Sequence, residues 1–235
     1  MKYSYKIVLD KSQDAWNWLD VSRNPVFQGY NWRDNLSGDF LKFFDKIVKS
    51  PKNRAKIEIN NFLDSTYDSN KDFYEKQIKQ IDSKFSKKFP DACAWLEATT
   101  KKPLKFTNYK IFLTTFPRSP YNPDKGYFWF NIYGDTNRLA GTFLHEVLHF
   151  QFIYYWRNNP KSSVSKLSFE QFDLLKEALT VIIDDGVKPL IEEADRGYPA
   201  HQEFRKILHD YWKKHHDFSE LVEYGVAQIK NEVKS

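Results

Sequence analysis

The pentapeptide His145-Glu146-Val147-Leu148-His149 is the part of the sequence whose residue types and spacing point most directly to chemistry. On a helix, residues four apart lie on the same face about one turn apart, so both imidazoles can reach one metal ion while Glu146 lies beside it. This arrangement suits tetrahedral Zn²⁺, and the glutamate can take a proton from the attacking water and pass it to the leaving amine. The motif therefore predicts a zinc hydrolase with His145 and His149 as ligands and Glu146 as catalytic base.

The residues around this motif indicate one long buried helix. The stretch from Thr136 to Trp156 has no proline, follows a candidate N-cap at Asp135 or Thr136, and carries apolar residues around most of its circumference. Imidazoles near a mainly apolar surface need a ligand or hydrogen-bond partners. The alternative to a metal site is a pair of core histidines bonded to the backbone, but a glutamate at the required position favours the metal.

A third protein ligand distinguishes the types of zinc protease. The extended motif HExxHxxGxxH requires glycine at position 152 and histidine at position 155, where this chain has Phe152 and Tyr155. The sequence therefore excludes the extended type.

Glu177 is the expected third ligand. Ser168-Phe-Glu-Gln171 predicts a capping box that opens an amphipathic helix from Phe169 to Asp185, closed by Gly186. Glu177 lies amid the apolar residues at the midpoint of this helix, where a carboxylate needs a cation. Glu170 is the alternative ligand, although an acidic residue in the first turn is expected merely to complement the helix dipole.

The order of HExxH, a loop and a second helix with an inward glutamate resembles the gluzincin metallopeptidases, over residues 127 to 186. The run from Lys176 to Thr180 looks like the glutamate-helix signature of that group. The resemblance implies a Zn²⁺ ion held by His145, His149 and Glu177, with Glu146 as general base. It also implies a zincin-like α+β fold that is mostly helical, with a small mixed sheet before the HExxH helix.

The sequence departs from the best-known gluzincins four positions after the glutamate, where Val181 replaces an acidic residue. Another side chain must then accept the N–H of an imidazole. Asp184 and Thr180 are the first candidates, and Asp173, one turn before the glutamate, is a third.

Two segments rich in aromatic and β-branched residues, 109–116 and 127–133, predict adjacent strands separated by a turn region with three prolines. In the resembling family, the strand before the metal helix is a sheet edge that binds an extended peptide through its backbone. We therefore expect residues 127–133 to form this edge, with the backbone of Phe128, Phe130 and Ile132 binding substrate and most of their side chains in the core.

An oxyanion donor is expected after the glutamate helix. The segment from Asp195 to His201 indicates a turn that leads into a helix with Pro199 near its start, and this turn could direct Tyr198 or His201 at the metal. Packing in the core or exposure at the surface is the alternative for both residues.

Length and composition predict a folded chain with a large core. Its 235 residues include 17% aromatic residues but only eight glycines, and they include no low-complexity tract. With no signal-peptide or membrane-span pattern and a single cysteine, Cys93, we expect a soluble, cytoplasmic protein. We expect residues 1–108 to form a mostly helical part and residues 109–235 the catalytic part, or the two to form one continuous domain.

The predicted elements outside the metal helices are mainly helical. A strand is expected at residues 2–9, and closing helices are expected at 201–215 and 218–233. Five N-terminal helices, interrupted at Pro51 and Pro90, are expected at residues 12–19, 39–49, 53–66, 71–88 and 91–98.

The basic excess of the chain lies in its N-terminal part. Residues 1–108 carry a net charge of +6 and residues 109–235 a net charge of −1. The lysine clusters at 84–88 and 101–105 are spread over helices, as is typical of solvated faces, so we do not expect nucleic-acid binding. The sequence favours a zinc peptidase acting on peptides or proteins. It leaves open a catalytically silent zinc-binding or nucleic-acid-associated regulatory protein, and a self-processing protease.

Overall fold

The fold is a mostly helical α+β arrangement with one small mixed sheet, as the sequence predicts. The structure is a computed structural model that describes residues 2–184, 187, 190–191 and 195–232, without the side chains of residues 231 and 232. The strands are β1 Ser4–Leu9, β2 Val26–Phe27, β3 Tyr30–Asn31, β4 Asn108–Thr114, β5 Tyr121–Asn122 and β6 Tyr127–Asn131. The α-helices are α1 Lys11–Arg23, α2 Gly38–Lys49, α3 Lys52–Ser69, α4 Lys71–Thr100, α5 Leu139–Phe152, α6 Phe169–Ala178, α7 Gln202–His215 and α8 Phe218–Glu232.

The main sheet has the strand order β1-β4-β6-β5. Strands β1, β4 and β6 are parallel, and β5 is antiparallel to β6. The chain leaves β4, returns as β5 on the far side of β6, and then turns into β6 at Gly126. This glycine has a φ of 68°, and a Cβ there would lie only 2.7 Å from the Phe106 ring. The turn therefore needs glycine both for its backbone conformation and for space.

The adjacent strands expected before the metal helix are present, but β6 is not a free sheet edge. Tyr121 and Asn122 of β5 pair with Phe128 and Tyr127, and the backbone N–H of Trp129 donates to the Pro120 carbonyl at 2.9 Å. The prediction of a free edge is therefore corrected for residues 127–129, which pair with residues 120–122. The backbone N–H of Ile132 likewise donates within the sheet, to the Thr114 carbonyl of β4 at 2.9 Å. The side chains of Phe128, Phe130 and Ile132 are buried in the core, as expected.

Helix α4 runs through Pro90, so the predicted interruption there is wrong. Proline inside a helix removes one hydrogen bond and clashes with the preceding turn, at a cost of about 3 kcal/mol. The aromatic face of α4 offsets this cost: Phe85 and Phe89 are buried, and both rings pack against Phe143 of α5 at centroid distances of 5.4 and 5.3 Å.

Buried apolar side chains form two clusters. The smaller cluster lies between α1, α2 and α3 and includes Trp18, which packs against Phe116 just after β4. The larger cluster joins β1, α4 and the main sheet to the helices from α5 onward. A division of the chain at residue 108 stays a prediction.

Asp14 connects the smaller cluster to the sheet. Its carboxylate accepts hydrogen bonds from the Thr114 hydroxyl at 2.6 Å and from the backbone N–H and hydroxyl of Thr115 at 2.9 and 2.8 Å. Tyr67 of α3 donates a further bond at 3.2 Å. One buried carboxylate thus joins α1 and α3 to the end of β4.

The predicted long helix around the HExxH motif consists of three pieces. A 3₁₀ turn, Thr136–Arg138, leads into α5, and a π-helical turn, Ile153–Arg157, follows it. Asp135 caps the start through the backbone N–H of Asn137. The π-helical turn begins just after the residues that carry the motif, which therefore lies entirely on regular α-helix.

The glutamate helix begins as predicted and ends earlier. Ser168 and Gln171 form the expected capping box, but α6 ends at Ala178 and continues as 3₁₀ helix, Leu179–Asp184. The predicted end at Asp185 and the cap at Gly186 lie outside the described residues.

The predicted strand near the N-terminus and the two closing helices are present. Asp217 caps α8 by accepting the backbone N–H of Glu220 at 3.0 Å, and the predicted last residue, Val233, lies outside the described range. None of the helices in the described part of the chain has the combination of length and apolar composition needed to cross a bilayer.

Candidate metal centre

Helix α5 brings the three polar residues of the motif to one place, as the spacing predicts. The rings of His145 and His149 lie 4.5 Å apart between centroids. Their ligand nitrogens and a carboxylate oxygen of Glu146 all lie within 4.8 Å of one another. Glu146 and His149 are buried, whereas the His145 side chain is 21% exposed, so the group is open to solvent on the His145 side.

Helix α6 places Glu177 against both imidazoles. Its Oε2 lies 3.6 Å from Nε2 of His145 and 3.4 Å from Nε2 of His149. Ligand atoms at a tetrahedral centre, each roughly 2.0–2.1 Å from Zn²⁺, are about 3.3–3.4 Å apart. The spacing from Glu177 to each histidine therefore suits ligands that share one ion.

The alternative ligand, Glu170, is not part of this group. It lies in the first turn of α6, where it is exposed and accepts a hydrogen bond from the Ser168 hydroxyl at 2.9 Å. Its place at the helix start is the one expected for an acidic residue that complements the helix dipole.

Two buried polar atoms of the group have no hydrogen-bond partner among the described residues, Nε2 of His149 and Oε2 of Glu146. The contact between His149 and Glu177 at 3.4 Å is an ion-pair distance without hydrogen-bond geometry. Buried polar atoms are normally paired, so this pattern indicates a missing partner. Two imidazole nitrogens and one carboxylate oxygen form a donor set that fits Zn²⁺.

The charges around His145 and Glu177 favour a cation between them. Burial works to raise the pKa of Glu177, but His149, His145 and Lys176 outweigh it and hold that pKa well below its usual value. Burial likewise opposes charge on His145, yet Asp195 and Glu177 raise its pKa well above the ordinary value. Both pKa shifts favour a positive charge between these groups, which a bound metal ion would supply.

Burial is the main influence on the pKa values of the other two motif residues, Glu146 and His149. It raises the pKa of Glu146 to about 8, against the charge of His145. It lowers the pKa of His149 to about 4, against the attraction of Glu177. The His149 imidazole is therefore neutral at neutral pH, as a metal ligand must be.

Asp195 is the partner of the His145 imidazole, at 3.0 Å between Nδ1 and Oδ2. This corrects the prediction that Asp184 or Thr180 takes that position. Asp184 instead accepts the backbone N–H of Asp195 at 2.6 Å, and the Thr180 hydroxyl donates to the Glu177 carbonyl at 2.8 Å. Asp184 and Thr180 therefore contact Asp195 and Glu177, the two residues that contact His145, and not the imidazole itself.

Arg205 of α7 holds the Asp195 segment to the glutamate helix. It donates to the Asp195 carbonyl, and to Thr180 Oγ1 and the Glu177 carbonyl at 2.7 and 3.2 Å. Its side chain crosses Gly197, where a Cβ would lie 2.7 Å from the arginine Cδ and where φ is +59°. Glycine is thus required for both the backbone conformation and the passage of Arg205.

Lys176 is a buried residue of the centre that the sequence analysis did not assign. Its Nζ lies 2.8 Å from Glu177 Oε1, from Asp173 Oδ1 and from the Tyr121 hydroxyl. Asp173 thereby faces the lysine rather than an imidazole. The only signal in the sequence was a lysine amid the apolar residues of an amphipathic helix, beside the predicted ligand.

The two candidate oxyanion donors are in contact with each other. The Tyr198 ring contacts the rings of His201 and Phe27 at centroid distances of 5.6 and 5.4 Å. Burial raises the pKa of Tyr198, and the charges of Glu177 and Glu146 add to the effect, so its phenol is within electrostatic reach of the motif. His201 is buried, and its Nδ1 has no hydrogen-bond partner within the described part of the chain.

Comparison with protein-family models, with curated proteins and with solved structures finds no match to this chain. Fold and site thus define a mostly helical α+β protein with a His145, Glu146 and His149 group able to hold a metal ion.

Proposed function

We propose that the protein is a zinc-dependent peptidase of gluzincin type with a zincin-like fold. The observation that carries the proposal is the position of Glu177 Oε2, at 3.6 and 3.4 Å from the ligand nitrogens of His145 and His149. Both distances suit ligands that share one tetrahedral ion, and the Glu146 carboxylate lies beside the two imidazoles.

His145, His149 and Glu177 would hold the ion. When bound, zinc supplies Lewis acidity, which makes water a stronger nucleophile and polarises the scissile carbonyl. The charge of a bound cation would lower the raised pKa of Glu146, so that its carboxylate accepts the proton of the attacking water and then delivers it to the leaving amine. A carboxylate with an unpaired Oε2 in a buried site suits this transfer, because it has no competing hydrogen bond to break.

Asp195 fixes the tautomer of His145. Since Nδ1 donates to the aspartate, the lone pair of Nε2 faces Glu177 and remains available to a cation. Tyr198 or His201 would donate a hydrogen bond to the oxyanion that forms as water adds to the carbonyl.

The test combines metal analysis with cleavage of a mixed peptide library. Purified protein is expected to bind zinc stoichiometrically, and a chelator should abolish cleavage that added zinc then restores. Glu146→Gln should keep the metal and lose hydrolysis by about 100-fold or more. Glu177→Gln should bind zinc much more weakly, whereas Glu170→Gln, on the same helix but exposed, should change neither zinc affinity nor hydrolysis.

Undiminished hydrolysis by Glu146→Gln would contradict the catalytic assignment. Stoichiometric metal without cleavage of any peptide would favour a catalytically silent zinc-binding protein. An unchanged zinc affinity in Glu177→Gln would contradict the assignment of Glu177 as the third ligand.

A further inference from the structure

Lys176 has a fixed position that neither the HExxH motif nor the ligand role of Glu177 explains. Its side chain is 7% exposed, and its ammonium group lies 2.8 Å from each of three oxygens. A buried ammonium is costly unless its three protons have acceptors. Here Asp173 and the Tyr121 hydroxyl accept hydrogen bonds and Glu177 Oε1 is an ion-pair partner, so the lysine is held in one place.

The two oxygens of Glu177 face different partners. Oε1 lies against Lys176, while Oε2 lies against the two imidazoles. A carboxylate can bind a metal through one oxygen or through both. We propose that Lys176 is a positioning residue, which reserves Oε1 and leaves Oε2 as the single oxygen ligand of the centre. The inference rests on the proposed function only in requiring a metal ion there, not in requiring hydrolysis.

Two elements contact Lys176, and a third supports it indirectly. Tyr121 comes from β5, and its ring also packs against the His149 ring at 5.3 Å. Asp173 comes from one turn earlier in α6, and its other oxygen accepts a hydrogen bond from Gln28 at 3.0 Å. Gln28 lies at the turn between β2 and β3, so the N-terminal part of the chain also supports the lysine.

The charge of Lys176 and its orienting role predict opposite effects of its removal on metal affinity. A positive charge beside a cation disfavours binding, so Lys176→Met would strengthen metal binding if charge alone mattered. If the lysine instead orients Glu177, its removal should weaken binding by about 10- to 100-fold, as is typical for groups that orient a ligand. The direction of the change therefore separates the two effects.

The experiment is a double-mutant cycle on zinc affinity, measured by competition with a chromophoric chelator on the full chain. The variants are Lys176→Met, Glu177→Gln and their combination. We expect Lys176→Met to weaken binding in the wild-type background and to have little further effect once Glu177 is replaced, because the lysine acts through that residue. In the cobalt-loaded proteins, the visible spectrum of Lys176→Met should also change, as the coordination of Glu177 changes.

Two further variants keep the test decisive. If Lys176→Met does not fold, Lys176→Met/Asp173→Asn removes the cation together with its second carboxylate partner and leaves no unpaired buried charge. Lys166→Met, on the 3₁₀ turn before α6, is the matched surface control and should leave the affinity unchanged.

Unchanged or tighter binding by Lys176→Met overturns the inference, as does an equal loss in both backgrounds of the cycle. A wild-type protein that binds no metal overturns the proposed function as well. Metal binding without peptide cleavage counts against the proposed function alone and leaves the cycle interpretable.

Discussion

Replacing Asp195 should weaken metal binding at the candidate centre. Asp195 accepts the N–H of His145 at 3.0 Å and lies in a segment without regular structure, held by Arg205 and Asp184. Asp195→Ala removes the group that orients this imidazole. Loss of such a partner typically lowers metal affinity by about 10- to 100-fold.

The size of the effect on stability follows from linkage. With zinc at about 100 times the wild-type dissociation constant, binding stabilises the folded state by about 2.7 kcal/mol. At the same zinc concentration, a variant with 10- to 100-fold weaker affinity gains only about 1.4 to 0.4 kcal/mol. For a chain of 235 residues, 1 kcal/mol shifts the melting temperature by about 2–4 °C. The zinc-dependent shift should therefore fall from about 5–11 °C to about 1–6 °C.

The assay is thermal unfolding of each variant with and without zinc. Only the difference within a variant is compared, because Asp195→Ala also removes the acceptor of the Gly197 N–H and so destabilises the metal-free state. Asp195→Asn keeps an acceptor without its charge. Its zinc-dependent shift of the melting temperature should lie between those of the wild type and of Asp195→Ala. Asp210→Asn, exposed on α7, is the control. A full zinc-dependent shift in Asp195→Ala would refute the assigned role.

Three further predictions concern the fold away from the centre. Asp14→Ala should lower the free energy of unfolding by about 2–4 kcal/mol in urea titrations, because the buried backbone N–H of Thr115 and three hydroxyls lose their acceptor; a loss below 1 kcal/mol would contradict this. Pro90→Ala should raise stability by about 1–3 kcal/mol by restoring a hydrogen bond on the exposed side of α4, and a destabilised variant would show that the proline is favourable there. Cys93 should react with thiol reagents only after unfolding, since burial raises its pKa to about 12; rapid labelling of the native protein would contradict its burial.

Local patterns in the sequence predict most of the helices and the core of the candidate site. The HExxH spacing and the capping box at Ser168 depend on residues within one or two helical turns, and the structure contains both. Glu177 follows from the same reasoning, since a carboxylate amid apolar residues needs a partner. The structure places its Oε2 beside both imidazoles.

The parts that the sequence did not predict depend on contacts between distant segments. Asp195 lies 50 positions after His145, in a segment whose only local pattern is a turn, so nothing nearby distinguished it from Asp184. The continuity of α4 through Pro90 depends on aromatic packing against α5, which overrides the local tendency of proline to end a helix. The covered edge of β6 depends on a two-residue strand too short to carry a pattern.

The N-terminal part contains a residue whose contact with the site could not be predicted from the sequence. It contains no histidine, and the sequence predicted only a mostly helical part there. The turn between β2 and β3 nevertheless reaches α6, where Gln28 donates to Asp173 at 3.0 Å and Phe27 packs against Tyr198. Gln28 has a φ of 49°, which is costly for a residue other than glycine, and the buried acceptor it reaches offsets that cost. Because Asp173 also accepts a hydrogen bond from Lys176, which forms an ion pair with Glu177, a side chain about 150 positions before the third ligand is connected to it through polar contacts.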